Sequence, residues 1–386
     1  MTRTIGFIIF FSIILIILGL VNTYIYIRGL QAIPHTSVWR MWYSYIFWFL
    51  ALSYFSARIL ERFALSWFTD GLVWVGSFWL GAMAYLIVIL LTVDLVRLIN
   101  FIIPFFQDFI TRDYQLTKQV TFYVIVSIVF LTLIISRINQ AFPQIKTLEL
   151  TIPQKSSLND LNVVLASDIH LGTIICNSHF QRIVDKINSL NPDVVLFAGD
   201  IVDEDVGPVI RDNLGETLKL IKPKYGVYGV TGNHEFYGGV EPSCKYLSDH
   251  GVVMLRDSAV KIVDAFTIIG REDITLEQGH TKRRKKLSEL MQSVDPTLPI
   301  ILMDHQPMRL HEAEENGVDL QLSGHTHHGQ LWPFNYISQA IYEVSWGYKK
   351  KGNTHIYVSC GVGTWGPPMR SGNRPEVVNL KLKFGS

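Results

Sequence analysis

Residues 193–203 read DVVLFAGDIVD. The apolar run Asp193–Phe197 reads as a buried strand, and it ends in the cluster Gly199-Asp200-Ile201-Val202-Asp203. The same pattern recurs on either side. Asn162–Ala166 runs into Ser167-Asp168-Ile169-His170, and Val227–Val230 into Gly232-Asn233-His234-Glu235. Further on, Pro299–Met303 ends in Asp304-His305, and Asp319–Leu322 in Ser323-Gly324-His325-Thr326-His327-His328. Helical stretches around Ser178–Leu190 and Val209–Leu220 separate the first three strands. Strands alternating with helices predict βαβ units and a largely parallel sheet. In such sheets ligands sit beyond the carboxyl ends of the strands.

One His after a strand is usually a satisfied loop residue, and one Gly-Asp is usually a turn. Five successive strand ends bearing Asp, Asn or His are a different matter. Mixed carboxylate, amide and imidazole donors suit borderline divalent ions such as Mn, Fe or Zn. A closed structural zinc site needs four ligands. Here at least seven candidates stand in order, enough for two ions that share one carboxylate.

The series Asp168-x-His170, Gly199-Asp200-x-x-Asp203, Gly232-Asn233-His234-Glu235, His305 and Gly324-His325-x-His327 resembles the calcineurin-like metallophosphoesterase signature, complete and in order across about residues 160–330. The resemblance implies a two-sheet β-sandwich flanked by helices. It also implies one metal held by Asp168, His170 and His327, a second held by Asn233, His305 and His325, and Asp200 bridging them. His234 would sit beside the metals, oriented by Asp203. The tail Tyr357–Gly363, with Arg370 and Arg374-Pro375-Glu376, resembles the membrane-associated or exported phosphodiesterases of that family. These often carry Gly after the second motif His and Arg before the Gly-x-Gly. This chain has His328 and Cys360 there, a departure that leaves the metal core intact.

Two cations about 3.5–4 Å apart can clamp both oxygens of an in-line phosphoryl displacement and lower the pKa of a shared water. Asp200, with two oxygens and a negative charge, suits the bridge, and Asn233 adds a neutral oxygen that leaves the site cationic. His234 suits proton donation to the departing alkoxide, its tautomer held by Asp203. Arg370 and Arg374 are candidates to hold a second phosphate or polar head, against the plainer reading of a solvated loop.

Working outward, composition divides the chain. Residues 1–140 hold 9 Lys and Arg and 5 Asp and Glu, whereas residues 141–386 hold 25 and 28. The first part is too apolar for a soluble domain and the second has an ordinary surface. Four charge-free runs, 5–27, 41–57, 71–93 and 119–136, reach the roughly 17–25 residues a bilayer core needs in a helix. Trp and Tyr cluster near several of their ends. The first run lacks an A-x-A-like cleavage site and further runs follow it, so it reads as a span rather than a leader. Leu98–Phe106, with Pro104 inside it, is apolar but short. We therefore expect a multi-pass membrane anchor over 1–140 and a catalytic domain over 141–386. Lys and Arg divide evenly between the two faces, so the positive-inside rule gives no orientation. An even span count returns the catalytic domain to the side of the N-terminus, taken as cytoplasmic.

The catalytic half carries a net −3, and no nucleic-acid partner is expected. Cys176, Cys244 and Cys360 lie far apart without CxxC spacing, and no disulfide framework is expected. Gly361-Val-Gly363-Thr-Trp-Gly366 matches a dinucleotide fingerprint. Pro367-Pro368 follow at once and forbid the helix that such a site requires. The run Lys282-Arg283-Arg284-Lys285-Lys286 reads as a solvated helix face, with anionic lipid as its second reading. Aromatic residues near the site, Phe236, Tyr237 and Trp365 among them, fit core packing or an apolar wall. The combined reading is a membrane-anchored phosphoesterase using two divalent metals, with membrane lipids as surroundings. Its substrate would be a phosphodiester or pyrophosphate, with a lipid-linked one such as a UDP-acylglucosamine among the candidates. The competing readings are a phosphoprotein phosphatase or nuclease on the same core, and a membrane sensor or transport partner with a regulatory hydrolase domain.

Overall fold

A computed structural model describes residues 3–106, 112–277 and 283–385, without side-chain detail for residues 3–8, 10 and 11. Lys282 of the basic run lies outside the described residues. The chain divides into two compact units, Met1–Ser136 and Arg137–Ser386.

The first unit is helical. Helices α1 (Arg3–Leu30), α2 (Trp39–Glu61), α3 (Trp67–Ile102) and α4 (Tyr114–Ala141) follow one another, and α4 runs on into the second unit. Ser66 starts α3 as a capping box: its side chain accepts from the Thr69 N–H, and the Thr69 hydroxyl accepts from the Ser66 N–H. Among the described residues three segments are long and apolar enough to cross a membrane: Ser12–Leu30, Trp67–Ile102 and Tyr114–Ala141. The run 41–57 lies in α2, which is not among those three, and Trp, Tyr and Ser dilute its apolar content. The short run Leu98–Phe106 forms the last turn of α3 and an irregular stretch beyond it.

The second unit is a pair of six-stranded mixed sheets. The first runs β1 (Gln144–Lys155), β12 (Glu376–Gly385), β2 (Asp160–Ala166), β3 (Val194–Ala198), β4 (Val227–Val230), β5 (Val252–Met254). The second runs β10 (Gly347–Lys351), β11 (Thr354–Val358), β9 (Leu320–Ser323), β8 (Ile300–Met303), β7 (Phe266–Gly270), β6 (Ser258–Ile262). The strands with polar ends are the parallel ones: β2, β3, β4 and β5 pair in parallel, as do β7, β8, β9 and β11. Antiparallel pairing enters where β12 meets β2 and where β6 and β10 edge the second sheet.

Alternation fixes which side chains face the shared core. Val163 and Leu165 of β2, Val194 and Leu196 of β3, Phe266 and Ile268 of β7, Ile301 and Met303 of β8 all join one buried cluster. The residues between them are buried too, because helices cover the outer faces. Ile269, Ile300 and Leu302 form a second cluster with Leu287 and Leu290 of helix Leu287–Met291 and Ala313 of helix His311–Glu315. The expected helix over Val209–Leu220 is two short helices, Gly207–Arg211 and Leu214–Leu218, because Asn213 takes φ 51° between them.

Phe266 sits at 0% exposure in the shared core. Phe266→Ala is expected to remove about 3–5 kcal/mol of stability. Guanidinium unfolding of the full chain in detergent, followed by near-UV circular dichroism, measures it.

Candidate functional site

The parallel strands end at one edge, and the turns beyond them carry the polar clusters. β2 leads to Asp168 and His170, β3 to Asp200 and Asp203, β4 to Asn233 and His234, β8 to His305, and β9 to His325 and His327. Asp168, His170, Asp200, His325 and His327 all have φ between 46° and 73°. Non-glycine residues rarely accept that backbone, and strain of this kind gathers at functional sites. Two glycines leave room for it. A Cβ on Gly363 would lie 2.0 Å from the Ile169 carbonyl oxygen, and one on Gly199 would enter the His305 ring. Through that close approach the Val362 and Gly363 N–H groups donate to the Ser167 and Asp168 carbonyls, at 3.0 and 2.9 Å. The glycine-rich loop therefore braces the end of β2.

Side chains gather in overlapping groups. Asp168, His170 and His327 form one, Asp200, His305 and His325 another, and His170, Asp203 and His234 a third; within each, one ligand atom per residue lies within 4.8 Å of the others. Asn233 joins the second group, its Oδ1 2.7 Å from His325 Nδ1 and 3.3 Å from His305 Nε2. Asp200 Oδ2 stands 3.2 Å from His305 Nε2 and 3.9 Å from His170 Nε2, between the first two groups. Asp200 Oδ1 accepts from the His234 N–H at 2.9 Å, and Asp168 Oδ1 accepts from the His325 N–H at 2.8 Å. His234 Nδ1 lies 3.2 Å from Asp203 Oδ1.

The chemistry of this donor set fits a bound cation. His305 Nδ1 must donate to the Ala198 carbonyl, 2.7 Å away, because a carbonyl has no proton to give. In the neutral ring its Nε2 lone pair would face Asp200 Oδ2 and Asn233 Oδ1, three acceptors converging where positive charge is needed. Their pull on positive charge shows in the ring itself. Burial would lower the His305 pKa, yet Asp200 and Asp168 hold it well above the ordinary value. His234 behaves alike: burial lowers it, but Asp200 and Asp203 raise it to about 9. His325 is pushed down to about 3 by burial and by His305, so its ring is a neutral donor.

Outside this cluster the expected residues part ways. Arg370 is fully buried rather than facing a substrate. Its Nη1 donates to the carbonyls of Cys360 and His327 and to Asn373 Oδ1, and its Nη2 to the Gly363 carbonyl and His327 Nδ1. Arg374 is exposed and donates to the Phe142 carbonyl at 3.0 Å. His328 turns to Ser345 Oγ, 3.0 Å away, and Trp346. Arg284 of the basic run is not solvated: it is buried on Asp304 at 2.9 Å, whereas Arg283, Lys285 and Lys286 are exposed.

Two supports had no role assigned from sequence. The buried Glu235 accepts from the Val202 N–H at 2.9 Å and the Gly232 N–H at 2.7 Å, tying the β3 and β4 turns together. Its signal was the capping spacing Gly232-x-x-Glu235 at the start of helix Asn233–Gly238. Asn373 donates to the His327 carbonyl and had no local signal. Of the aromatic residues, Tyr237 and Trp365 are exposed beside His234, with ring centroids 5.6 and 5.7 Å from it.

Fold and site together define a class: an α/β sandwich whose strand ends gather a His and Asp cluster able to hold metal. The profile of the calcineurin-like phosphoesterases matches residues 161–329. An uncharacterized metallophosphoesterase of Aquifex aeolicus is 35% identical over 227 residues, covering 58% of this chain and 85% of that protein. A zebrafish protein named transmembrane protein with metallophosphoesterase domain is 35% identical over 263 residues, 64% of this chain and 59% of its own length. An uncharacterized metallophosphoesterase of Campylobacter jejuni aligns at 29% identity over 383 residues, 98% of this chain and 99% of that one, through both units. The chain belongs to the calcineurin-like phosphoesterase family. It spans about three fifths of the length of the first relatives it matches, 59% of the zebrafish protein and 60% of a Helicobacter pylori one.

Arg370→Met strips four oxygens and a ring nitrogen of their donor, so the variant should lose at least about 3 kcal/mol of stability. Denaturant unfolding without substrate measures it. A variant that unfolds like the parent and changes only KM would assign Arg370 to the substrate instead.

Proposed function

We propose that this protein is a membrane-anchored phosphoesterase that uses two divalent cations to hydrolyse a phosphodiester or pyrophosphate. The observation that carries the reading is the Asp200 carboxylate, set between two groups of imidazole and carboxylate ligands. Asp168, His170 and His327 would hold one ion, Asn233, His305 and His325 the other, and Asp200 both. Manganese, iron and zinc all suit these donors. Bound there, such ions supply Lewis acidity that lowers the pKa of water and neutralises charge on the phosphoryl oxygens.

The remaining work falls to the chain's own groups. Asp203 holds His234 at Nδ1, which leaves Nε2 to carry a proton toward the leaving-group oxygen. Burial disfavours that proton, and Asp200 and Asp203 favour it, raising the pKa to about 9 before any cation binds. The buried Arg370 and Asn373 hold the His327 turn through its backbone carbonyl.

We further propose a lipid-linked substrate, with a UDP-acylglucosamine as one representative. Tyr237 and Trp365 support it as apolar walls beside His234. Trp332, Tyr336, Ile337 and Ile341, on and just before helix Asn335–Ile341, are all more than half exposed, an apolar surface suited to lipid. For the membrane half we propose residues 1–140 as anchor and four spans. At 23 residues, α2 is about 35 Å long, enough to cross a core of about 30 Å. With four spans the catalytic half, residues 141–386, shares the side of the N-terminus, which we propose to be the cytoplasmic face of the cell membrane.

Turnover of phosphodiesters by the purified chain with Mn²⁺ tests the chemistry. Asp200→Asn should abolish it, and His234→Ala should lower kcat by about 10²–10⁴ with an alkyl leaving group. The loss should be smaller with an aryl one, whose oxygen needs no proton. Because His234 acts protonated, kcat falls as pH rises through its pKa, and this alkaline limb should vanish in His234→Ala. Unchanged turnover in both variants sinks the assignment.

The substrate reading has its own check. A micellar lipid-linked pyrophosphate should be preferred over a phosphopeptide or an oligonucleotide, and Trp365→Ala should raise KM for the lipid alone. Preference for the peptide or the oligonucleotide overturns it.

A further inference from the structure

The membrane half holds a half-open cavity of its own, about 250 Å³, between α1, α2, α3 and α4. Its volume is near the low end of small-molecule pockets, which start at about 300 Å³. Most of the wall is apolar: Phe47 and Leu50 from α2, Trp79 and Leu90 from α3, Ile125 from α4. Trp79 is fixed there, its indole N–H donating to Asn22 Oδ1 at 3.0 Å.

The rest of the lining is cationic. Arg28 of α1, Arg97 of α3 and Lys118 of α4 all line the cavity, and no carboxylate is among the described residues that do. They lie at one level. Arg28 and Arg97 share the single carboxylate of Asp94, Arg97 also donates to Tyr114 Oη at 2.9 Å, and Lys118 Nζ sits 4.4 Å above the Tyr114 ring. Among the described residues these three cations are set against one carboxylate, which leaves two positive charges in excess beside an apolar slot. Charges within membrane helices pair with a partner or mark a ligand site. Basic pockets between such helices hold the phosphates of anionic lipids.

We propose that this cavity binds a phosphate-bearing lipid. A segment of one acyl chain lies along Phe47, Leu50 and Trp79, and the phosphate sits against Arg28, Arg97 and Lys118. The chain enters because those walls are apolar, and the phosphate stops at the level where the excess charge is. The site stands on the membrane half alone and does not depend on the catalytic reading. A free phosphate would leave the apolar wall uncovered, and a zwitterionic lipid would return the charge excess only in part.

Trp79 reports occupancy. The full chain in phosphatidylcholine nanodiscs receives increasing mole fractions of phosphatidic acid with dibrominated chains, or of phosphatidylcholine with the same chains. Trp fluorescence is read, and the Trp79→Phe variant supplies the contribution of the other tryptophans. The brominated phosphatidic acid should quench the Trp79 component at a mole fraction about tenfold lower than brominated phosphatidylcholine does. Lys118→Gln and Arg97→Gln should each shrink that preference several-fold. Leu86→Trp, which fills the cavity from its lining, should reduce quenching of the Trp79 component by both lipids. Equal quenching of the parent by the two lipids overturns the proposal without recourse to any variant. So does a preference that survives intact in Trp79→Phe, or in a Lys118→Gln variant with parental helix content.

Discussion

Acceptors facing acceptors set the terms for the catalytic half. Asp168, Asp200, Asn233 and the imidazoles of His305 and His325 converge with too few protons to share. Burial removes the water that would otherwise separate them. Positive charge relieves the conflict, and the two carboxylates answer it differently. Burial raises Asp168. Burial also works against ionised Asp200, yet His305 and His234 hold it well below the usual carboxylate range. The carboxylate whose charge is most favoured is therefore the central one, with imidazoles on both sides. A cation placed among these groups replaces several unfavourable contacts with favourable ones at once.

Such an arrangement needs a scaffold that can hold repelling groups together. Two sheets supply it by sharing one core between them, with helices over the outer faces of their central strands. The strands end in parallel, so each strand adds a turn at the same edge. There the chain must reverse quickly enough to aim a side chain back over the sheet, and the left-handed residues perform that reversal. Asp168 and His170 lie two residues apart with φ 52° and 54°, so β2 presents both on one short arc. Local strain of about 1–3 kcal/mol at each such residue is small beside the burial of the sandwich core. Gly363 and Arg370 extend the logic into the tail. The glycine lets one loop touch the end of β2, and the guanidinium clamps that loop to the His327 turn.

Sequence showed the cluster because strand-end chemistry is local. An apolar run followed by Asp or His announces both the strand and the residue it delivers, and all five blocks fall where the parallel strands end. What pairing does at the sheet margins is not local. That β12 returns from the far end of the chain to lie between β1 and β2 follows from long-range register, which no short window contains. The same limit explains the arginines. Arg370 and Arg284 sit in loops that look solvated, and both are buried, because their partners (carbonyls of a distant turn, or Asp304) become neighbours only after the sheets assemble. Glu235 shows the opposite case. Its bond to the Gly232 N–H closes a turn three residues long, so spacing alone carried that signal, while its bond to Val202 had none.

The two halves manage charge by different means, and this explains the composition of each. In the catalytic half carboxylates and imidazoles are many, and their mutual repulsion is used: it creates the demand for metal. In the membrane half charges are few, and several of them are answered by a neighbour. Asp94 takes Arg28 and Arg97, and Glu61 takes Arg58 one turn away. An apolar surround makes an unanswered charge expensive, so helices with little charge can tolerate an excess only where something else supplies the counter-charge. The cavity lined by Arg28, Arg97 and Lys118 is such a place. Its excess has the sign opposite to that of the carboxylates at the strand ends. Each half thus gathers uncompensated charge at a locality of its own, positive beside an apolar slot in one and negative beside imidazoles in the other. In both, the chemistry of what would bind is set by the charge the fold leaves over.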